Sequence, residues 1–168
     1  MMIKTDSISK MNEIDRLKYM NLLLKGQLSS ETDILANISN ATAIIKACIN
    51  NINWSGFYFL KNSELVLGPF QGLPACNRIE IGKGVCGTSV EKKAPIIVDN
   101  VNEFEGHIAC DENSRSEIVI PIIKDDKIFG VLDIDSPYFN RFNQLHLKYL
   151  TEFVSIMNKY IKWDDFLY

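Results

Sequence analysis

Two predicted β-hairpins constrain the fold of this chain more than any other feature. Residues 54–60 and 64–67 form the first, with an aromatic opening strand and an Asn-Ser turn. Residues 116–123 and 128–134 form the second, across a polar loop of Lys and Asp. Apolar runs separated by short polar turns are typical of hairpins. Because hairpin partners run antiparallel, the sequence predicts a mostly antiparallel sheet.

Predicted helices lie on both sides of these hairpins. Residues 12–25 carry an apolar helical stripe, and we expect this helix to end at Gly26. A second helix follows a cap signature at Ser30 and Asp33. Two further helices are predicted, a short one at 85–92 and a long one at 143–162. The apolar stripe of the second helix comprises Ile34, Ile38, Ala41, Ile45, Cys48 and Ile52. The fold class is therefore α+β, with a central sheet flanked by N- and C-terminal helices.

The final helix is apolar over a wide arc. Leu147, Leu150 and Val154 lie on one stripe, and Tyr149 and Phe153 lie on a neighbouring stripe. Such a helix can pack on the sheet and on a second surface, which the first helices or another subunit would supply. From this arc we predict a homodimer.

The chain of 168 residues is long enough to form one domain with a buried core. We expect a loose N-terminus at residues 1–10 and a single domain at 11–168. The net charge of -3 and pI of about 5.4 argue against nucleic-acid binding. No apolar run approaches the roughly 18 residues of a membrane span, and no secretory leader is recognisable. These features predict a cytoplasmic protein that binds no membrane.

Three of the four cysteines lie between the predicted strands. Cys76, Cys86 and Cys110 each stand beside Gly, Ala or Pro, where the backbone can approach a ligand closely. Cytosolic thiols are kept reduced, so these residues are expected to be redox-active, metal-binding or buried rather than structural disulfides. Cys48 lies on a helical apolar stripe and is predicted to be a small core residue.

Three carboxylates lie along the strands of the second hairpin. Asp133 and Asp135 alternate with apolar residues, so both point to one face of their strand. Glu117 on the partner strand can join them in one pocket, where like charges would leave at least one carboxyl protonated. The alternative is an edge strand with one solvated face. Trp54 and Tyr58 also share a face, although such a pair on its own is more often part of a core.

Seven motifs between Asn53 and Phe142 occur together in one order. They are Asn53-Trp-Ser-Gly-Phe-Tyr58, Leu67-Gly-Pro-Phe-Gln-Gly72, Ala75-Cys76, Gly82-Lys-Gly-Val-Cys-Gly87, Gly106-His-Ile-Ala-Cys-Asp111, Ser116-Glu117-Ile-Val and Gly130-Val-Leu-Asp-Ile-Asp-Ser136. In this order and spacing the chain resembles the free methionine-(R)-sulfoxide reductase family, whose fold is a single GAF domain. The resemblance implies reduction of free L-methionine-(R)-S-oxide to L-methionine, without a bound cofactor.

The resemblance implies a role for each of the three loop cysteines. Cys110 matches the family's nucleophile, which would become a sulfenic acid. Cys76 matches the usual resolving cysteine, and Cys86 lines the site as a second exchange partner. Thioredoxin is the implied reductant of the resulting disulfide. The carboxylates nearby should raise the pKa of the nucleophilic thiol, which opposes its activation.

The implied substrate-binding residues include the carboxylates and aromatic side chains described above. They are Trp54, Tyr58, Glu117, Asp133 and Asp135. One position departs from the family pattern, because His146 stands where an acid is common. We expect His146 to lie on the surface of the final helix, away from the chemistry.

Two other site classes are weaker matches. His107 and Cys110 have H-x-x-C spacing and could form a zinc site with Cys76 and Cys86, but no paired C-x-x-C spacing is present, so no metal is predicted. The Gly82-x-Gly-x-x-Gly87 run resembles a dinucleotide fingerprint, but no parallel βαβ unit surrounds it. We interpret it as a tight turn into a helix.

The alternative function is a non-catalytic GAF module that senses a small ligand or redox state. The long loop at 99–115 does not distinguish the two functions. Its acidic residues Glu103, Glu105 and Glu112 are predicted to be solvated in both cases. Turnover of methionine sulfoxide with a dithiol separates the two functions, because a sensor would show none.

Overall fold

A six-stranded antiparallel sheet is the centre of the computed structural model, which describes residues 8–106, 108 and 111–166. The helices are α1 (Glu13–Ser30), α2 (Ile34–Cys48), α3 (Gly84–Lys92) and α4 (Gln144–Tyr160). The strands are β1 (Trp54–Lys61), β2 (Glu64–Gln71), β3 (Arg78–Glu80), β4 (Ile96–Val98), β5 (Ser116–Lys124) and β6 (Lys127–Ser136). Both predicted hairpins are present, as β1–β2 and β5–β6.

The strand order is β3-β2-β1-β6-β5-β4, and all neighbouring strands are antiparallel. The α+β class with a central antiparallel sheet is therefore confirmed. The pairing register sets Asp135 between Trp54 on β1 and Glu117 on β5. Two residues earlier on β6, Asp133 lies opposite Gly56 on β1. Since side chains alternate along a strand, these five residues lie on one face of the sheet.

The two faces of the sheet bury different cores. On one face, Phe57 and Leu132 pack with α1, α2 and α4 in what we call the helix-side core. This core includes Cys48, which is 1% exposed and matches its predicted role as a buried hydrophobe. On the other face, Tyr58 and Val131 pack with the first turns of α3. The carboxylates lie on this second face.

Helix α1 does not end at Gly26 but continues to Ser30. The added turn buries Leu28 in the helix-side core, and the Ser30 hydroxyl donates to the Gly26 carbonyl at 3.1 Å. Burial of a leucine is worth about 1.5–3 kcal/mol, more than the roughly 1 kcal/mol cost of an internal glycine. Helix α2 is capped by Asp33, whose carboxylate accepts from the Ala36 N–H at 2.7 Å.

Helix α4 packs on β5 and on α1. The Asn21 amide of α1 donates to the Tyr149 carbonyl at 3.2 Å. The second surface that the wide apolar arc requires is therefore supplied within the chain. The homodimer remains a prediction.

His146 is buried, so its expected place on the surface was wrong. It is the third residue of α4, and its ring accepts from the Asn143 backbone N–H while the Asn143 side chain accepts from the His146 N–H. Its Nε2 also lies 2.8 Å from Arg141 Nη1 and 3.2 Å from Glu13 Oε1. A capping box and contacts to a distant helix bury this ring completely.

The packed chain begins before residue 11, because Ile8 is 4% exposed and lies in the helix-side core. Among the residues that the structure describes, no helix has both the length and the apolar character needed to cross a bilayer.

Candidate active site

A small cavity lies between the second face of the sheet and the start of α3. Its volume is about 30 Å³, room for roughly two water molecules. Aromatic, thiol and carboxyl side chains line it, including Trp54, Tyr58, Cys86, Glu117, Asp133 and Asp135. Ile108, which is 38% exposed, is also among its lining residues.

The three predicted carboxylates come together in this cavity. Glu117 and Asp133 are each 6% exposed, and Asp135 is half-buried. The Cys86 sulfur lies 3.9 Å from Glu117 Oε1. One oxygen of Glu117, one of Asp133 and the Cys86 sulfur all lie within 4.8 Å of one another. The predicted alternation along β6, together with the observed pairing of Glu117 with Asp135, produces a shared pocket rather than a solvated face.

Burial and mutual repulsion raise the pKa values of these carboxyls. Burial raises the pKa of Glu117 well above its usual range, and the charges of Asp133 and Asp135 raise it further. Burial and the Asp133 charge do the same to Asp135. Burial also raises the pKa of Asp133, to about 6, but hydrogen bonds with Cys86 and Glu117 oppose the rise. Asp133 therefore ionises most readily of the three carboxyls, and burial favours the protonated forms of the other two.

Cys86 is a free thiol in the first turn of α3 and is 3% exposed. A helix N-terminus normally lowers a cysteine pKa. Here burial raises the pKa of the Cys86 thiol well above its usual value, and the charges of Asp133 and Glu117 add to the rise. The acids and the low polarity outweigh the helix terminus, so Cys86 is a neutral thiol near pH 7.

The rings of Trp54, Tyr58 and Phe70 form a stack, which we call the aromatic wall, and hydrogen bonds hold Trp54 and Tyr58 in place. The Trp54 ring lies 5.9 Å from the Tyr58 ring and 5.4 Å from Phe70, centroid to centroid. The Trp54 Nε1–H donates to the Leu73 carbonyl at 3.2 Å. Between the two β1 aromatics, Gly56 leaves room for the indole, since a Cβ there would lie 2.5 Å from Trp54 Cη2. Trp54 and Tyr58 therefore share one face, as predicted.

Of the predicted redox pair Cys76 and Cys110, only Cys76 is among the described residues. Cys76 is half-buried, its sulfur is in a disulfide, and its carbonyl accepts from the Tyr58 hydroxyl at 3.0 Å. Cys110, the predicted nucleophile, lies outside the described residues. His107 does too, so the zinc alternative that includes it is untested.

The glycine-rich turn before α3 has the conformation expected of a tight turn. Gly82 and Gly84 have φ of +79° and +58°, values that favour glycine. The surrounding sheet is antiparallel, so the dinucleotide fingerprint has no supporting βαβ unit. Glu103, Glu105 and Glu112 are exposed, as expected of a solvated loop.

Three polar residues at the cavity edge were not among the predicted site residues. The Asn53 amide donates to Asp111 Oδ2 at 2.7 Å and to Ser114 Oγ at 3.0 Å. Partial burial opposes ionisation of Asp111, but hydrogen bonds from Asn113 and Asn53 lower its pKa. Asp111 and Ser114 line the cavity beside Asp135. Their only sequence signal is their position in or next to the motifs described above.

Comparisons with known proteins match most of the chain. The family model described as "GAF domain" matches residues 41–161. Protein YtsP of Bacillus subtilis is 51% identical over 150 residues, covering 86% of this chain and 92% of the relative. The free methionine-R-sulfoxide reductase of Escherichia coli is 41% identical over 156 residues, covering 93% and 94%.

A solved structure extends this similarity to the fold. The free methionine-R-sulfoxide reductase of Neisseria meningitidis, in complex with its substrate, superimposes with a TM-score of 0.87 at 36% identity. The alignment covers 91% of this chain and 92% of that protein.

Proposed function

This chain belongs to the GAF-domain family that includes the free methionine-R-sulfoxide reductases, and we propose that it reduces free L-methionine-(R)-S-oxide to L-methionine. The observation that carries the proposal is the buried carboxylate cluster facing an aromatic wall. A cluster of this kind suits a small ligand that brings a positive charge and an apolar group together.

Asp133 is the proposed partner of the substrate α-ammonium. It is the carboxylate that ionises near neutral pH, and its pKa of about 6 reflects a buried charge that a cation would stabilise. Glu117 and Asp135 complete the acidic side of the pocket. Trp54 and Tyr58 supply the apolar side, where the substrate methyl group packs. A peptide-bound methionine sulfoxide has an amide in place of the ammonium, so this arrangement favours the free amino acid.

The proposed reaction begins with the Cys110 thiolate. The thiolate, one proton and the sulfoxide give methionine and a Cys110 sulfenic acid, so oxygen passes from the substrate sulfur to the cysteine. The proposed proton donor is Glu117 or Asp135, because burial raises the pKa of both carboxyls well above the usual range and favours their protonated forms. The Cys76 thiol then condenses with the sulfenic acid, which releases water and forms a disulfide.

Cys86 is the proposed second exchange partner. Its raised pKa and its burial mean that it reacts through a small thiolate fraction, so it should be slower than Cys76. Its main contribution is to line the pocket beside Glu117.

An external dithiol must reopen the disulfide in each cycle, and we propose thioredoxin for this step. No bound cofactor is needed in this scheme, because the electrons pass through cysteine sulfur alone. Thioredoxin dependence is consistent with the proposed cytoplasmic location. The proposed homodimer is tested separately by sedimentation, and a monomer alone at micromolar concentration would contradict it.

A chiral assay tests the proposed function. Purified protein receives free methionine-(R)-sulfoxide, the free (S) epimer or a peptide-bound sulfoxide, with dithiothreitol as reductant. We expect reduction of the free (R) epimer alone and its loss in Cys110→Ser. Cys48→Ser is the matched control, because Cys48 lies in the helix-side core and should leave turnover intact.

The same assay separates this proposal from the sensor alternative. Absence of turnover for every sulfoxide, in protein that is folded and reduced, would refute the reductase. Tight binding of a small ligand by that inactive protein would then identify a sensor module.

A further inference from the structure

A second property of the cavity comes from three side chains on three different elements. Cys86 on α3, Glu117 on β5 and Asp133 on β6 each offer one possible ligand atom, and these three atoms lie within 4.8 Å of one another. All three residues are buried. This set shares only Cys86 with the zinc alternative based on His107 and Cys110.

One oxygen of this set lacks a partner. Among the described residues, no donor lies within hydrogen-bond distance of Asp133 Oδ1, although the atom is buried and its side chain lines the cavity. Buried carboxylate oxygens without a donor are costly, and native proteins seldom keep them without a ligand, water or ion. The oxygen therefore points to a positively charged or hydrogen-donating occupant.

We propose that Cys86, Glu117 and Asp133 bind a divalent cation of the zinc class, and that the bound cation blocks the substrate pocket. Zinc is bound at about 2.3 Å by thiolate and about 2.0–2.2 Å by carboxylate, so tetrahedral ligand atoms lie roughly 3.5 Å apart. The observed 3.9 Å between the Cys86 sulfur and Glu117 Oε1 requires only a small contraction. Three protein ligands leave the fourth position for water or another small ligand.

The ligand chemistry selects the metal. A thiolate favours zinc or cadmium, whereas carboxylates without sulfur favour magnesium, calcium or manganese. Thiolate and two carboxylates together carry three negative charges, and a dication offsets most of this charge within a cavity of about 30 Å³. Binding displaces protons from Cys86 and Glu117, as is usual for metal sites with these ligands.

The inhibitory part of this inference rests on the proposed function, whereas the metal site does not. A substrate ammonium and a metal ion would both use Asp133, and both would occupy the same small space. Only one can bind at a time, so the cation should compete with free methionine-(R)-sulfoxide.

Calorimetric titration with Zn²⁺ tests the site directly. The parent protein is Cys76→Ser/Cys110→Ser, which removes the other loop thiols and keeps the proposed ligands. We expect one Zn²⁺ per chain and no binding of Mg²⁺ at the same concentration. Cys86→Ser or Asp133→Asn in this background should weaken binding by more than about 100-fold, beyond the 10–100-fold typical of residues behind a ligand. Glu112→Gln, at an exposed carboxylate, should not weaken it.

A spectroscopic measurement keeps the test decisive if a variant fails to fold. Co²⁺ bound by the parent protein should give a thiolate-to-metal charge-transfer band, since Cys86 is the thiolate ligand in the set. Absence of Zn²⁺ binding, binding without this band, or binding that survives Cys86→Ser in folded protein would overturn the site.

Steady-state kinetics test the competition. With a phosphine reductant that does not chelate zinc, Zn²⁺ should raise the KM of the wild-type enzyme for the sulfoxide and leave kcat unchanged. A fall in kcat at constant KM would overturn the blocking mechanism. Activity that requires Zn²⁺ would also overturn the blocking mechanism. Absence of turnover both with and without Zn²⁺ would refute the proposed function, while the calorimetric result would still decide the metal site.

Discussion

Replacement of Asp133 by Asn should stabilise the protein at neutral pH while it impairs the proposed activity. Asp133 is 6% exposed, and its Oδ1 has no donor among the residues that the structure describes. Ionisation of such a group is costly to the folded state. Asn has nearly the same shape and carries no charge, so it removes this cost without a cavity.

The magnitude follows from the pKa of Asp133, which burial raises from 3.8 to about 6. Below pH 3.8 the group is protonated in both states and contributes nothing. Between these values the folded state holds a proton that the unfolded state has lost, so stability falls as pH rises. Above pH 6 the full cost is present, about two pKa units or about 3 kcal/mol. At pH 5 the same linkage gives about half of this cost.

Urea unfolding of wild type and Asp133→Asn at pH 5 and pH 7.5, both reduced, measures this difference. We expect the variant to be more stable by about 3 kcal/mol at pH 7.5 and by about half as much at pH 5. Glu112→Gln serves as the control, because an exposed carboxylate should give no gain. A variant that is less stable at pH 7.5, or a gain independent of pH, would refute the argument that the buried charge is the cause.

Three other substitutions test the aromatic wall, the N-terminal cap of α4 and the helix-side core. Gly56→Ala would set a Cβ 2.5 Å from Trp54 Cη2, so we expect a loss of about 1–3 kcal/mol in urea unfolding and a higher KM, and an unchanged KM would contradict the wall. Asn143→Ala removes the acceptor for the His146 N–H at the start of α4, so thermal unfolding should show a loss of about 1 kcal/mol with kcat/KM unchanged. Cys48→Ala should keep kcat/KM, since this thiol is in the helix-side core; lost turnover in folded protein would argue against that assignment.

The local patterns that predicted the fold also predicted much of the site. Alternation along β6 put Asp133 and Asp135 on one face, and this short-range signal can be read without knowledge of the tertiary structure. The same holds for Trp54 and Tyr58, which are four residues apart on one strand. The register that sets Glu117 opposite Asp135 cannot be read from the turn alone, because the pairing of β5 with β6 shifts by one residue between Ile122 and Ile123.

The errors arose where distant contacts decided the outcome. The end of α1 depends on burial of Leu28, which outweighs the stop signal at Gly26. Burial of His146 depends on Glu13, which is 133 residues away in sequence. Likewise, Asn53 joins the site through Ser114, 61 residues further along. Amino-acid type and spacing carry little information about such pairs.

The acids in the cavity are not explained by the stability of the fold. Val119 and Val131 lie on the same face of β5 and β6 and are completely buried, so apolar side chains pack well there. The ionised Asp133 costs about 3 kcal/mol, a large part of the 5–15 kcal/mol by which domains are usually stable. A ligand without a hydrogen-bond donor would leave this cost in place, whereas a cation or a donor group reduces it by supplying a partner to Asp133 Oδ1. The physical requirement on any natural occupant is therefore a positive charge or a hydrogen-bond donor beside Asp133, and an amino-acid ammonium and a zinc-class ion both supply the positive charge.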